Sequence, residues 1–449
     1  MGEMSLLGEC LSQLDWSPER LAREINRVCG KGAISVKAPY GWLRGSCPRG
    51  RLPQVVATIL TRRLNEPITA EALWPAKFSA RCVILAADDG LDLPWTQEGT
   101  LQSTAVLAPS SAALNQPVTL LALAGPDLIR PAVDWLTAPE ASATGSVQGE
   151  QLNPDAVGVL ADRVAQLRRL DDSQGGPLVL EWIAQDLRWT ANLARTASYD
   201  APTGARLFQV FAELAQLAGW VACDLGRDAL GQRYFLVGLR AAHAAGDQQL
   251  GANIVSCLSY QASWNGNRDD ALRLIKLARR GAGRPPAASV HALLATRQAR
   301  AHAQLGEIAE CAQTLDEVAE LGETITTGSE PSWAYWVTPA VLAADAGRAW
   351  LELGQPDRAE QSLLRGLRLF GTTQPRNRLL HNTSLAEARL ARRDVDGAAE
   401  ATQDALDLTT SFGSARARKR LKDLRTKFTP LDAAVAREVC DRIDTVLSA

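Results

Sequence analysis

Four Leu-Gly or Asn-Gly steps punctuate the second half of the chain, at Leu225-Gly226, Asn265-Gly266, Leu305-Gly306 and Leu353-Gly354, with a weaker fifth step at Arg392-Arg393. The glycines lie 40, 40 and 48 residues apart. A period of this length marks one supersecondary unit used repeatedly, here a pair of helices whose apolar face is buried only by its neighbours. Glycine closes the first helix of each pair in the left-handed conformation. Small residues downstream, at Ala229, Ala271, Ala312 and Ala359, predict where the second helix packs closely. The expected product is a superhelix with an extended concave surface, a shape suited to binding rather than to chemistry.

Composition agrees. Only seven Phe and five Tyr accompany twelve Trp, while Ala, Leu and Arg abound, so intrinsic propensity favours helix and the expected fold class is all-α. With 46% hydrophobic and 22% charged residues the chain reads as globular, and 449 residues leave room for two or three domains. The net charge of −2 gives the whole chain no pull toward nucleic acid or acidic membranes. Residues 1–70 differ, with ten Lys/Arg against six Asp/Glu. No apolar run approaches the ~20 residues that span a bilayer, and the start, with Glu3 and Glu9, predicts no secretory signal. The eight cysteines stand singly, which predicts no metal site and no disulfide framework, and places the chain in a reducing cytoplasm.

Three regions follow. Residues 1–70 form a compact helical module. Residues 71–152 are an irregular linking region broken by prolines, with a short helix expected over Ile129–Leu136 and a linker or exposed loop over Ala138–Gln151. Residues 153–449 are the helical repeat domain, its repeats clearest over 201–413. Asp171 to Pro177 reads as a turn, and Trp182 and Trp189, seven apart on one helix, as core. The basic stretch Ala415–Phe428 reads as a solvated face.

The first module carries the pieces of a helix-turn-helix. Ser17-Pro18-Glu19 is a helix start, with a capping hydroxyl, a proline at the first position and an acid in the first turn. Leu21, Ile25 and Val28 recur at helical spacing, Gly30-Lys31-Gly32 makes a turn, and Trp42-Leu43-Arg44-Gly45 ends a second helix. Such a second helix enters the major groove while basic side chains at helix ends and loops neutralise phosphates. The candidates for double-stranded DNA are Lys37, Tyr40 and Arg44, with Arg49 and Arg51 on the backbone. Pro39 and Gly41 cost roughly 3 and 1 kcal/mol relative to Ala inside a helix, so the recognition helix is expected to be short, starting near Pro39, or distorted.

At these residues the chain resembles the actinobacterial NsdA-like regulators, which join an Xre-like helix-turn-helix to tetratricopeptide-like (TPR-like) repeats. The likeness runs through Ser17–Ala22, Trp42–Gly45, Pro48–Gly50, Gly90–Trp95, Arg168–Asp172 and Ala212–Trp220, and on through Gly231–Phe235 and Ala244–Asp247 to Ser259–Ala262. It implies an N-terminal helix-turn-helix followed by a TPR-like α-solenoid. It also implies transcriptional control of differentiation or secondary metabolism.

Enzymatic chemistry has little support. The four histidines, at 243, 291, 302 and 381, fall in helical segments without metal-ligand spacing, and no phosphate loop is present, so neither catalysis nor a cofactor is expected. The concave groove is the expected seat of an effector, whether small molecule, peptide or protein. Its candidate residues are Asn253, Tyr260, Trp264, Trp333, Tyr335, Trp336 and Asn382, since aromatics supply area and amides bind peptide backbone. A symmetric operator would demand a homodimer. The alternative is a repeat-protein adaptor whose helix-turn-helix no longer binds DNA.

Overall fold

The computed structural model describes residues 5–30, 32–49, 52–64, 66, 68–74, 83–85, 91–108, 118–140, 144–283, 286–326, 330–371, 374–409 and 414–448. The first five helices are α1 (Leu6–Gln13), α2 (Pro18–Cys29), α3 (Ala38–Leu43), α4 (Leu52–Leu64) and α5 (Ala70–Leu73). They close around Leu7, Leu21, Ile25, Val56 and Leu60. Ser17 caps α2 as its sequence predicts, its hydroxyl accepting from the Arg20 amide at 3.3 Å. The turn into α3 is pinned by Asn26, whose amide bonds both the N–H (2.8 Å) and the carbonyl (3.0 Å) of Ile34.

The linking region holds α6 (Gln97–Leu107), α7 (Pro126–Thr137) and two three-residue parallel strands, β1 (Val83–Leu85) and β2 (Val118–Leu120). Of the stretch expected as a linker or exposed loop, Ala138–Gln151, residues 144–151 are an exposed loop, but not a free one. Ser146 and Tyr199 exchange two backbone bonds of 2.8 Å, and the Leu152 amide donates to the Ser198 carbonyl at 2.7 Å, so this stretch is fastened to the next helices.

The repeats are preceded by α8 (Pro154–Ser173) and α9 (Pro177–Thr196). Six helix pairs follow: α10 (Ala201–Asp224) with α11 (Asp228–Ala244), α12 (Gln248–Trp264) with α13 (Arg268–Gly281), and α14 (Ala288–Leu305) with α15 (Ile308–Thr324). Then come α16 (Pro339–Glu352) with α17 (Pro356–Phe370), α18 (Pro375–Ala391) with α19 (Val395–Leu406), and α20 (Ala415–Phe428) with α21 (Ala434–Ser448). The fold is thus an all-α TPR-like solenoid behind a small helical module, the two short strands being the exception. Each expected turn residue is left-handed, with φ of 74° at Gly226, 79° at Gly266, 78° at Gly306, 71° at Gly354 and 63° at Arg393. The close-packed position lies five residues beyond the turn, at Gly231, Ala271, Cys311, Ala359 and Ala398. Ala229 and Ala312 are off that register. At Gly231 a Cβ would stand 2.3 Å from the Cys223 sulfur, so α10 and α11 meet there because the side chain is absent.

One expectation holds in part and one fails on orientation. The turn read over Asp171 to Pro177 is confined to residues 174–176, Asp171 and Asp172 belonging to the last turn of α8. Trp182 and Trp189 are not core: they are 44% and 56% exposed, because their face of α9 looks outward at the first end of the array.

The linking region lies along the second helices of the pairs, α6 on α11 and α7 on α13. The Gln232 amide accepts from the Leu123 N–H (2.6 Å) and donates to the Leu123 carbonyl (3.1 Å), and the Gly125 N–H donates to Asp270 at 2.8 Å. Arg240 donates to the carbonyls of Leu91, Leu93 and Pro94 and lies over the Trp95 ring at 4.7 Å. Trp135 occupies the space that side chains would need at Gly251 and Gly281.

The array bends until its ends meet. Arg376 of α18 pairs with Asp171 of α8 at 2.9 Å, and Arg416 of α20 pairs with Asp224 of α10 at 2.9 Å. The first helices of the pairs therefore surround a central space.

Candidate functional site

Two places gather functional side chains. On the N-terminal module, α3 is six residues long, about 9 Å at 1.5 Å per residue. Pro39 and Trp42 face inward, Trp42 edge-on to Trp74 with centroids 6.5 Å apart. Lys37, Tyr40, Arg44 and Arg49 are exposed, and Arg51 lies outside the described residues. Among the described residues Lys37, Arg44 and Arg49 make no ion pair, whereas Arg27 and Arg63 are held by Glu24 at 3.2 and 3.3 Å. The Tyr40 hydroxyl donates to Glu19 on α2, which raises the phenol and lowers the carboxyl from their ordinary values. That bond ties the outer face of the short helix to the helix before it.

The second place is the central cavity of about 160 Å³. Of the predicted groove residues, Tyr260, Trp264, Trp333, Tyr335 and Trp336 line it together. Asn253 and Asn382 do not; both are buried among helices. Tyr260 sits between Trp220 and Trp264, with ring centroids at 5.5 and 6.0 Å. The Tyr335 hydroxyl donates to Asp172 at 2.5 Å, and burial together with that carboxylate pushes its phenol upward.

Arginines complete the wall, and sequence reasoning passed over them. Arg168 pairs with Glu213 at 3.0 Å, while Arg300 and Arg348 share Glu352 at 3.1 and 3.3 Å. Arg297, 7% exposed, lies 3.8 Å from the Tyr260 ring centroid and makes no hydrogen bond or ion pair among the described residues. The stretch Ala415–Phe428 is only partly the solvated face expected of it. Lys419 and Lys422 are exposed, but Arg416 reaches the cavity and Arg420 turns inward to Glu387 at 3.2 Å.

These charges set the chemistry of the wall. Burial alone would raise the Tyr260 phenol; the guanidiniums of Arg416, Arg300 and Arg297 outweigh it and bring it down to about 7. Burial, with Arg420 and Arg300 nearby, brings Arg348 down to about 9. Burial holds His381 near 4, so its ring, stacked on Phe370, is neutral. Burial also pushes the Cys257 thiol up to about 11, which makes it a poor nucleophile at neutral pH. Among the described residues no cluster of three His, Cys, Asp or Glu side chains is arranged to hold a metal ion, and no helix is long and apolar enough to cross a membrane.

The missed residues follow a register. Counting back six from each turn residue gives Trp220, Tyr260, Arg300, Arg348 and Glu387; counting back nine gives Leu217, Cys257, Arg297, Asp345 and Ser384. Most of these face the central space. Reading those two positions across the repeats would have located the site from sequence.

Residues 7–73 match the family model described as the SP15 N-terminal domain. Among curated proteins, none matches the chain. One solved structure with a similar chain path is the crystal structure of the APC/C hetero-tetramer Cut9-Hcn1, at 13% identity, covering 97% of this chain and 82% of that chain with a TM-score of 0.33. A superposition that loose carries no argument about this chain.

Proposed function

We propose that the chain is a ligand-responsive DNA-binding regulator: residues 1–70 contact double-stranded DNA, residues 71–152 join that module to the repeats, and residues 153–449 receive an effector. Stacked helical hairpins of this kind are binding scaffolds, which is the broader part of the reading. The observation that carries the finer part is that Lys37 and Arg44, at the two ends of α3, and Arg49 beyond it are exposed and, among the described residues, make no ion pair. Cations free of carboxylate partners are what phosphate contacts require. The match over residues 7–73 coincides with the five-helix unit and supports its being a separate module. Control of differentiation or secondary metabolism belongs to this reading through the resemblance noted above. A two-fold dimer would need an apolar surface, and Leu178, Trp182 and Trp189 offer one on α9.

One observation favours the adaptor instead. Six residues of α3, held to Glu19 through Tyr40, give a recognition element barely two turns long. The deciding experiment is binding of the purified protein to fragments upstream of its own gene across a salt series, beside an Arg44→Ala/Arg49→Ala variant. The regulator reading expects a preferred fragment, affinity that falls steeply with salt, and a shallower salt slope in the variant. Equal binding to all fragments, unchanged in the variant, sinks it in favour of the adaptor.

A further inference from the structure

The central cavity holds more hydrogen-bond donors than acceptors. The Nε of Arg297 and the indole N–H groups of Trp264 and Trp333 have no acceptor, and Trp333 is only 2% exposed. Buried donors in native proteins are almost always satisfied, so an unsatisfied set in one cavity points to a missing acceptor. Ion pairing points to the same residue. Around the cavity Arg168 pairs with Glu213, Arg376 with Asp171, Arg416 with Asp224, and Arg300 and Arg348 share Glu352, whereas Arg297 makes no ion pair among the described residues. A buried charge without a counter-ion is costly unless something supplies one.

Shape narrows the choice. About 160 Å³ is close to the ~150 Å³ of an engineered cavity that accepts benzene, enough for one ring and a small substituent. The walls are planar: Tyr260, Trp220 and Trp264, with the Arg297 guanidinium laid over the first two at 3.8 and 5.9 Å.

We propose that this cavity binds a small aromatic monocarboxylate, its ring between the aromatic walls and its carboxylate accepting from Arg297 and the free indole N–H groups. A carboxylate is acceptor-only and anionic, so it suits both the donors that lack acceptors and the one arginine that makes no ion pair. Tyr260, its phenol lowered to about 7 by the same arginines, supplies part of the internal counter-charge, and more of it as pH rises. The ligand takes over that role and returns the phenol to its neutral form. This names the effector class of the regulator reading and rests on that reading only for what binding would control.

The test uses the full chain without DNA. Calorimetric titration with benzoate and indole-3-carboxylate is compared with the neutral benzamide and indole-3-carboxamide, and with acetate as an anion lacking a ring. Saturable one-to-one binding of an aromatic acid is expected, at least tenfold tighter than its amide or acetate, and at least tenfold weaker in Arg297→Met. Tyr260→Phe, which removes the internal counter-ion and keeps the ring, should bind as well as or better than the unmodified protein at pH 8. It guards against reading a folding defect of Arg297→Met as loss of the site. Acid and amide binding alike, acetate binding as well as the ring acids, no effect of Arg297→Met, or no binding of either acid at millimolar concentration overturns the proposal. Binding of the acid by a protein that fails the DNA test leaves this proposal standing and removes only the regulator reading.

Discussion

On the outer face of the repeat array, Gln232, Arg240 and Asp270 each find backbone partners in the linking segment; on the inner face, Arg297, Trp264 and Trp333 keep donors that have no acceptor among the described residues. Both faces come from the same helix pairs and bury comparable side chains. A buried polar group left unpaired costs about 1–3 kcal/mol, so the outer arrangement is what assembly alone would produce. The inner arrangement gives up stability, and stability given up at a cavity marks recognition. The outer face holds the molecule together, and the inner face carries the donors on which the binding proposal rests.

Four experiments would break or sharpen this contrast. The largest effect belongs to the outer face. Trp135→Ala removes the ring seated against Gly251 and Gly281, and should cost about 3–5 kcal/mol in chemical denaturation; a loss under 1 kcal/mol would mean the linking segment is not part of the folded unit. Gln232→Leu strands both backbone groups of Leu123 and should cost about 1–3 kcal/mol by the same measurement. Third is a paired comparison: Arg240→Met should lower the melting temperature, because three carbonyls lose their donor, whereas Arg297→Met should leave it unchanged or raise it. Equal losses at the two sites would erase the distinction between the faces.

The smallest signal is one tyrosine among five. With a folded-state value of about 7 against an unfolded value near 10, Tyr260 is ionised in the folded chain and protonated in the unfolded one between those pH values. Fewer protons on the folded state mean that stability rises with pH across that window; below pH 7 the contribution is absent. The groups acting on it are Arg416 from α20, Arg297 and Arg300 from α14, and Asp345 from α16 opposing them. Ultraviolet titration should show a single early phenolate, missing in Tyr260→Phe, and the gain in urea midpoint from pH 6.5 to 9 should shrink in that variant.

The architecture could be read from sequence because its punctuation is local: a glycine at φ near +75° ends a helix whatever lies around it, and four such glycines with Arg393 fix five of the six pairs. Even Arg393 was legible, by register, although arginine is strained at φ 63°. The cavity was legible only in its aromatics. Its arginines come from α8, α14, α16, α18 and α20, and they converge through the curvature of the array, which no single repeat encodes. The basic run Ala415–Phe428 reads as solvent-facing, a rule that fails where a superhelix turns its inner face on itself. Trp182 and Trp189 show the converse limit, since a shared helical face does not say which way it looks.

Contact between the two ends of the array changes how it should come apart. An open row of repeats behaves as a one-dimensional chain, in which terminal units fray and the rest persist. Here the clasps Arg376–Asp171 and Arg416–Asp224 join helices 205 and 192 residues apart in sequence, so neither terminal repeat has a free inner side. Fraying at α20 would uncover α10, and loss of α8 would uncover α18. The repeats are thereby coupled into one cooperative unit whose unfolding has no low-energy starting point, at the cost of long loops that must close before the last contacts form.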